Sequence, residues 1–258
     1  NKKINKMGYY TVKVKPTILP SIQNEEAFAS GEVLFDWTAF EIPKGSGKLV
    51  SATAIIKPKG DADPTQNAFP FTLLFAPNDD ISLGTAGAAA DRRPNPNISG
   101  MIEFPATSFG PGSMRSTCIA STSNSTVGGH APVVIAPDVT ESATQGYHKV
   151  YVGAVCAGNF TFESINAIAE AGAAEAASTQ VITMDGSSMD VREHFAKGDT
   201  VAIGTSAGTP AADSILGVVQ SADSATQITL TTVSATELVD GDILYDLNPV
   251  TLVLGFED

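Results

Sequence analysis

The sequence predicts an all-β fold: an antiparallel sandwich or jelly-roll-like main domain with a second, small SH3-like β-barrel module. Three observations lead to this prediction. Short apolar segments recur along the 258 residues with turn residues between them, and the chain contains 23 Gly and 15 Pro to supply such turns. Helical periodicity is scarce. Hydrophobic residues make up 43% of the chain, which is enough for a buried core and argues against wholesale disorder.

The strands predicted for the main domain follow one another from the beginning of the sequence. The segment YTVKVKP alternates with period two and ends at Pro16. The loop predicted at 78–97 is rich in Asp, Asn, Pro and Gly and lacks periodicity, which is typical of an exposed excursion. The other segments of strand type are 31–42, 48–60, 69–77, 100–106, 131–138 and 147–164.

A change of composition near residue 163 predicts a second unit. Fourteen of the 18 aromatic residues lie at or before Phe160, and only three lie after residue 163. Residues 164–178 are rich in Ala and predict either a short helix or a linker. From residue 179 to 246 the order of patterns is strand, short helix, strand, hairpin and strand.

A repeated Gly-Asp piece suggests how this second unit turns its corners. It occurs at 198–201 and at 241–244, each time just before a strand-like run, as a small curved barrel requires. The last segment, 248–258, predicts one more strand, which returns to the first sheet. The expected organisation is therefore a basic arm (1–15), a main domain (16–163 plus 247–258) and an inserted module (164–246).

Charge is distributed unevenly. Residues 1–15 contain five Lys and no acid, whereas the other 243 residues carry ten positive and 28 negative charges, net −18. Such an acidic body repels nucleic acid and anionic membranes, and no apolar run approaches the ~20 residues of a membrane-spanning helix. The start of the sequence lacks the apolar region of a signal peptide. We therefore expect neither a membrane nor a nucleic-acid partner.

The basic arm is the predicted contact with a protein partner, while contact with nucleic acid and a solvated tail stay open as alternatives. Alternation places Tyr10, Val12 and Val14 on one side of a strand that a neighbouring sheet edge could accept. Deletion of residues 1–15 is expected to abolish attachment and to leave the body folded. The predicted partner-binding residues are Lys2, Lys3, Lys6, Tyr9, Tyr10, Val12, Lys13, Val14 and Lys15.

Motifs of catalysis are weak, so the sequence predicts no enzyme, no cofactor and no metal site. The pentapeptide 204–208 matches G-x-S-x-G, but a strand follows it and all three His precede it, so a hairpin loop is the simpler interpretation. His130, His148 and His194 are scattered, without metal-site or base–nucleophile spacing. Trp37, the single Trp, is expected in the core.

Loop carboxylates leave one alternative open, since their oxygens could hold Ca²⁺. None of them fits the spacing of an EF-hand loop, and solvated turn residues are the simpler interpretation. Paired carboxylates of a glycosidase on distant strands also stay open, although aromatic sugar platforms are scarce. The loop carboxylates and their Asn neighbour are Asp61, Asp63, Asn67, Asp79, Asp80, Asp185 and Asp190.

Three stretches resemble structural proteins of tailed bacteriophage virions, especially those of marine and cyanobacterial phages. They are YYTVKVKPTI at 9–18, the segment 31–60 and the segment 240–258. Residues 181–246 are similar to the small Gly-Asp-rich β modules of phage head and tail proteins. The resemblance covers about half the chain, follows general texture rather than an exact motif, and contains no catalytic residues.

What the resemblance implies is a structural role, best matched by a head decoration (cement) protein on the outer surface of the capsid. Such proteins bind the major capsid protein, often as trimers, and assemble in the host cytoplasm. The alternatives are a tail, collar or receptor-binding component, and a carbohydrate-binding or carbohydrate-active protein.

Overall fold

Antiparallel β-strands dominate the structure, which is a computed structural model of the chain. The all-β prediction is confirmed for the residues described. Within them, no helix has the length and apolar character needed to cross a lipid bilayer. The structure describes residues 8–24, 28–45, 47–57, 68–91, 97–110, 118–121, 133–134, 136–138, 140–160, 180–184, 190–204, 214–234, 237–238 and 242–257.

The regular elements in this part of the chain are short. Its strands, in chain order, are β1 (Tyr9–Val14), β2 (Val33–Pro43), β3 (Lys48–Ile56), β4 (Phe71–Ala76), β5 (Gly100–Phe104), β6 (Cys118–Ser121), β7 (Val133–Val134), β8 (Tyr147–Cys156), β9 (Val181–Thr183), β10 (Thr200–Gly204), β11 (Ser214–Ala222), β12 (Gln227–Leu230), β13 (Ile243–Asp246) and β14 (Val250–Glu257). Its helices are α1 (Pro20–Asn24), α2 (Val191–His194) and a 3₁₀ turn at Ala106–Ser108.

The first sheet has the strand order β1-β14-β3-β6, and β7 also pairs with β3. β14 lies between β1 and β3 and is antiparallel to both. Its alternate residues from Val250 to Phe256 are fully buried, because every second side chain of a strand points to the same side. The last predicted strand therefore does pair within the first sheet.

The second sheet has the order β2-β8-β4-β5, and all its pairings are antiparallel. Its inward side chains share one hydrophobic core with those of the first sheet, since residues of both sheets belong to the same buried cluster. Phe71 and Phe104 stack on paired strands of the second sheet at a centroid distance of 5.2 Å, and Phe40 meets Phe256 of the first sheet at 5.9 Å. All nine Phe residues among the first 160 belong to this core or pack against it.

The third sheet, with the order β13-β10-β11-β12-β9, has a separate hydrophobic core. It begins after residue 179 and ends at Asp246, so the chain leaves the first two sheets and re-enters the first one at β14. Gly198, at φ +88°, makes the turn into β10 that the Gly-Asp pattern predicts. Among the described residues, β13 and β9 each pair with one strand only, so the sheet does not close into a barrel there.

Several predicted elements differ in extent from those observed. The strand expected at 131–138 is described only as the two-residue β7, and the one expected at 147–164 ends at Cys156. β6 and α1 have no counterpart in the prediction. The Ala-rich stretch 164–178 lies outside the described residues.

Candidate functional site

The predicted partner-binding residues fall into two groups. Lys2, Lys3 and Lys6 lie outside the described residues. The other six belong to β1 or follow it directly, and β1 pairs along its whole length with β14, from Tyr9 opposite Glu257 to Val14 opposite Leu252. The strand expected to be donated to a neighbour is thus already part of the chain's own first sheet.

The side chains of β1 alternate as predicted. Val14 is buried in the main core, and Val12 is partly buried against it. Tyr9 points to the other side and is 62% exposed. Because the apolar face of β1 contributes to the core, deletion of residues 1–15 would remove a strand together with the arm, and we therefore expect it to destabilise the body.

The Tyr9 side chain is exposed to solvent, but it also lies across β14 and reaches β3. Its hydroxyl hydrogen-bonds with Ser51 Oγ on β3 at 2.9 Å. The intervening residue is Gly255, where any Cβ would meet both of these oxygens. The absence of a side chain at Gly255 is therefore what lets the Tyr9 ring pass over the central strand.

The outer edge of β1, called here the β1 edge, is the best candidate interaction surface. β1 stands at the end of its sheet and, among the described residues, pairs with β14 alone. Its exposed side chains are Tyr9, Thr11 and Lys13. An edge strand presents unpaired backbone N–H and C=O groups to an incoming strand.

Lys15 does not belong to this exposed surface. Its Nζ lies 2.6 Å from Asp199 Oδ1, in the turn that leads to β10. Its charge is engaged within the chain, and its role as a partner contact stays a prediction.

Four charged side chains meet where the first and third sheets come together, and we call them the junction cluster: Lys15, Lys57, Asp199 and Asp246. Lys57 Nζ contacts Oδ2 of both aspartates. The side chains of Asp199 and Asp246 are 2% and 0% exposed, and that of Lys57 is 18% exposed. Two buried carboxylates therefore share one ammonium group.

Backbone groups hold both carboxylates in place. Asp199 Oδ2 accepts a hydrogen bond from the Ala196 N–H at 2.6 Å, and Asp246 Oδ1 accepts one from the Asn248 N–H at 2.8 Å. Gln23 of α1 donates to the Asp246 carbonyl at 2.7 Å, and so connects the helix after β1 to the end of β13. Such partners reduce the cost of burying charge.

Burial and charge act in opposite directions at this cluster. Burial lowers the pKa of Lys57 to about 8, although the Asp199 charge opposes the shift. Burial alone would raise the pKa of Asp199, but Lys57 and Lys15 outweigh it and hold that pKa below its ordinary value. The lysine thus loses its proton more readily than an exposed lysine, while Asp199 stays ionised.

The sequence indicated only part of the junction cluster. Asp199 belongs to the repeated Gly-Asp pattern, which singles it out as a turn residue. Lys57 and Asp246 have no local signal, because each follows or ends an ordinary strand and their proximity depends on the tertiary fold.

A cleft of about 540 Å³ lies at the outer side of the second sheet. Three carboxylates line it, from Asp36, Asp80 and Asp91, together with Ser82 and Thr85. The Asp36 carboxylate accepts hydrogen bonds from Ser82 Oγ at 2.5 Å and from the Leu83 N–H at 2.9 Å. These two hydrogen bonds stabilise the loop that contains Ser82 and Leu83 and forms the wall of the cleft.

Trp37, expected in the core, is instead half-buried on this outer side. Its Nε1 donates to the Ile81 carbonyl at 2.8 Å, and its ring lies over Gly153 beside Leu83. The correction has a local cause: Phe35, two residues earlier, lies in the core, but the register of β2 against β8 shifts between Phe35 and Thr38, so regular alternation does not continue to Trp37.

The residues considered for metal binding or catalysis are not brought together. Across the described segments, no group of three His, Cys, Asp or Glu side chains could hold a metal ion. Asp190 caps α2 by accepting from the Arg192 N–H, His148 is in β8 and His194 is buried in α2. Outside the described residues lie Asp61, Asp63, Asn67, His130, Asp185 and the loop 205–208 of the G-x-S-x-G match.

The strands that flank this last motif pair antiparallel, which agrees with a hairpin. Comparison of the chain with protein-family models, with curated proteins and with solved structures finds no match.

Proposed function

We propose that the chain is a non-enzymatic structural protein of a tailed-bacteriophage virion, which binds the outer capsid surface and stabilises the shell as a decoration (cement) protein. Its partner in this proposal is the major capsid protein. Copies of the chain associate as trimers, and assembly takes place in the host cytoplasm.

The observation that carries the proposal is the edge position of β1 beside a lysine-rich stretch of sequence. Residues 1–15 hold five Lys, three of them before β1, and β1 has an outer edge that pairs with no other described strand. A cement protein acts across joints between capsid subunits, and the β1 edge offers backbone groups for strand addition beside a positively charged segment. The basic arm would then be attracted to the acidic body of a neighbouring copy or to an acidic surface of the capsid.

The arrangement of the segments that resemble virion proteins is also consistent with the proposal. The stretches 9–18, 31–60 and 240–258 include β1, β3 and β14, which are neighbours in the first sheet. Segments far apart in the sequence thus supply three adjacent strands of one sheet, and they also include β2 of the second sheet and β13 of the third.

We extend the proposal to the finer architecture. The first and second sheets form a sandwich around their common core, and the third sheet is an SH3-like module inserted at 164–246. The main domain takes 16–163 and 247–258, and Tyr9–Lys15 joins it, so that only the residues before Tyr9 remain as an arm.

Copy number in purified phage particles tests the proposal directly. Quantitative mass spectrometry should find hundreds of copies per particle, and labelling should place them on the outside of the head. A few tens of copies or fewer would favour a tail, collar or receptor-binding component instead. Absence from the particle would overturn the virion role.

The contribution of the arm is tested by charge removal. The variant Lys3→Ala/Lys6→Ala should bind capsids that lack the protein more weakly, most clearly at low salt. The matched control, Lys44→Ala/Lys197→Ala, removes two exposed lysines elsewhere and should bind normally. Equal binding by both variants would remove the arm from the mechanism.

The cleft beside Trp37 supports a carbohydrate-binding alternative. Carboxylates and hydroxyl groups line it, as sugar recognition requires. The Trp37 ring, however, lies over Gly153 and does not offer an open platform. Binding to a glycan array that is lost in Asp80→Ala would favour this alternative over the capsid role.

A further inference from the structure

The junction cluster brings an amine and a carboxyl group together out of water. Asp246 is fully buried at the end of β13, and Lys57 Nζ contacts its Oδ2. A second buried carboxylate, Asp199, contacts the same Nζ. The three groups reach this point from the first and third sheets, so the fold itself holds them in contact.

Burial changes the balance between the charged and the neutral forms of Lys57 and Asp246. In water the ammonium–carboxylate form is much preferred, but removal from water penalises both charges and favours the neutral amine and the neutral acid. The lowered pKa of Lys57 agrees with this shift toward the neutral amine. A neutral lysine is a nucleophile, whereas an ammonium is not.

We propose that Lys57 and Asp246 condense to form an amide bond within the chain, with Asp199 transferring the proton. A proton first passes from the Lys57 ammonium to the Asp246 carboxylate. Lys57 Nζ then attacks Asp246 Cγ, and the Nζ–Cγ bond forms. Asp199 accepts a proton from Nζ and delivers it to Oδ2, the Cγ–Oδ2 bond breaks, and one water molecule leaves.

The hydrogen bonds around the cluster fit these roles. The Asn248 N–H donates to Asp246 Oδ1 at 2.8 Å, and it would stabilise the negative charge that develops on that oxygen during the attack. Lys15 binds Oδ1 of Asp199 and leaves Oδ2 toward Lys57. Lys57 and Lys15 together hold the pKa of Asp199 below its ordinary value, so its carboxylate is ionised and able to accept a proton.

The bond would join the first sheet to the third. It closes a long loop, because 189 residues separate Lys57 and Asp246. Closing such a loop restricts the unfolded chain and therefore favours the folded one. The inference concerns the chemistry of the chain itself and does not depend on a virion role.

Intact mass under denaturing conditions tests the proposal. The purified wild-type chain should be lighter than its sequence by one water molecule, and digestion should yield a branched peptide that contains Lys57 and Asp246. Lys57→Arg keeps the positive charge and should have the full sequence mass. Asp199→Asn keeps both reacting groups and should remain largely at full mass.

Each measurement has a result that would overturn the idea. A folded wild-type chain at full sequence mass would exclude the bond. A deficit that persists in Lys57→Arg would assign the lost water to another site, such as an Asp-Gly succinimide. Full condensation in Asp199→Asn, at the wild-type rate, would remove Asp199 from the reaction.

Discussion

Lys57 Nζ contacts Oδ2 of Asp246, although 189 residues separate them along the chain. Lys57 directly follows β3 of the first sheet, and Asp246 ends β13 of the third. The contact therefore depends on how the two sheets are placed, and no local sequence pattern predicts it. Asp199 and Lys15 complete the group, so a change at one member alters the electrostatic balance of all four.

Substitution of Lys57 by Met should be strongly destabilising. Lys15 would then be the one remaining lysine beside two buried carboxylates, and removal of one partner of a buried ion pair costs about 3–5 kcal/mol. The free energy of unfolding, measured by urea denaturation, should fall by at least that amount, and loss of the proposed Lys57–Asp246 amide would add to it.

Lys48→Met is the matched control. Lys48 pairs with Glu257 at 2.8 Å on an exposed part of the first sheet, where such pairs contribute roughly 0–1 kcal/mol. Similar losses in both variants would show that the burial of the junction cluster has no special energetic effect.

Deletion of residues 1–15 should destabilise the body, whereas deletion of residues 1–7 should not. Only the longer deletion removes β1, the buried Val14 and the Lys15–Asp199 ion pair. Since the burial of one Val side chain is worth roughly 1.5–3 kcal/mol, the loss should be at least about 1.5 kcal/mol. Calorimetric melting of both truncated chains would measure it, and equal melting temperatures would contradict the role given to β1.

Gly255→Ala should weaken the contact between Tyr9 and β3. The new methyl group would meet the Tyr9 hydroxyl and Ser51 Oγ, and overpacking of this kind costs about 1–3 kcal/mol. In a Tyr9→Ala background the cost should be smaller, because one of the two obstacles is gone. An identical cost in both backgrounds, measured by urea denaturation, would show that the ring does not lie over Gly255 in solution.

Cys156 should resist alkylation in the folded protein even in mild alkali. Burial, aided by the Glu32 charge, raises the pKa of its thiol from 9.0 to about 12. At pH 9 half of the unfolded chains would therefore carry the thiolate, whereas folded chains would keep the proton, and thiolate is the reactive form. Iodoacetamide labelling of a Cys118→Ser variant should need denaturant; rapid labelling without it would contradict this environment.

The sequence predicted the strands better than their partners. Alternation in β1 and the Pro at 16 are local signals, and they place the buried and exposed sides of the strand correctly. β6 was missed because Cys118–Ser121 is short and two of its four residues are small. Trp37 was misplaced because a single aromatic residue does not show which side of a strand it occupies.

The site was harder to predict than the fold for a related reason. A lysine after a strand and an aspartate before a turn are ordinary surface residues until the tertiary structure buries them. Only Asp199 and Lys15 had a sequence signal, Asp199 as a turn residue after Gly198 and Lys15 as part of the basic arm, and neither signal indicated Lys57 or Asp246.

The link between the third sheet and the first also determines how the protein would respond to a pulling force. Leu247 donates its N–H to Thr200 in the third sheet and accepts a hydrogen bond from Ile18, which follows β1. Tension on the third sheet would pass through Leu247 into β14, along the strand axis. Because β1 and β3 both pair with β14, the hydrogen bonds on its two sides would be loaded in shear and would have to break together, which makes β14 a mechanical anchor.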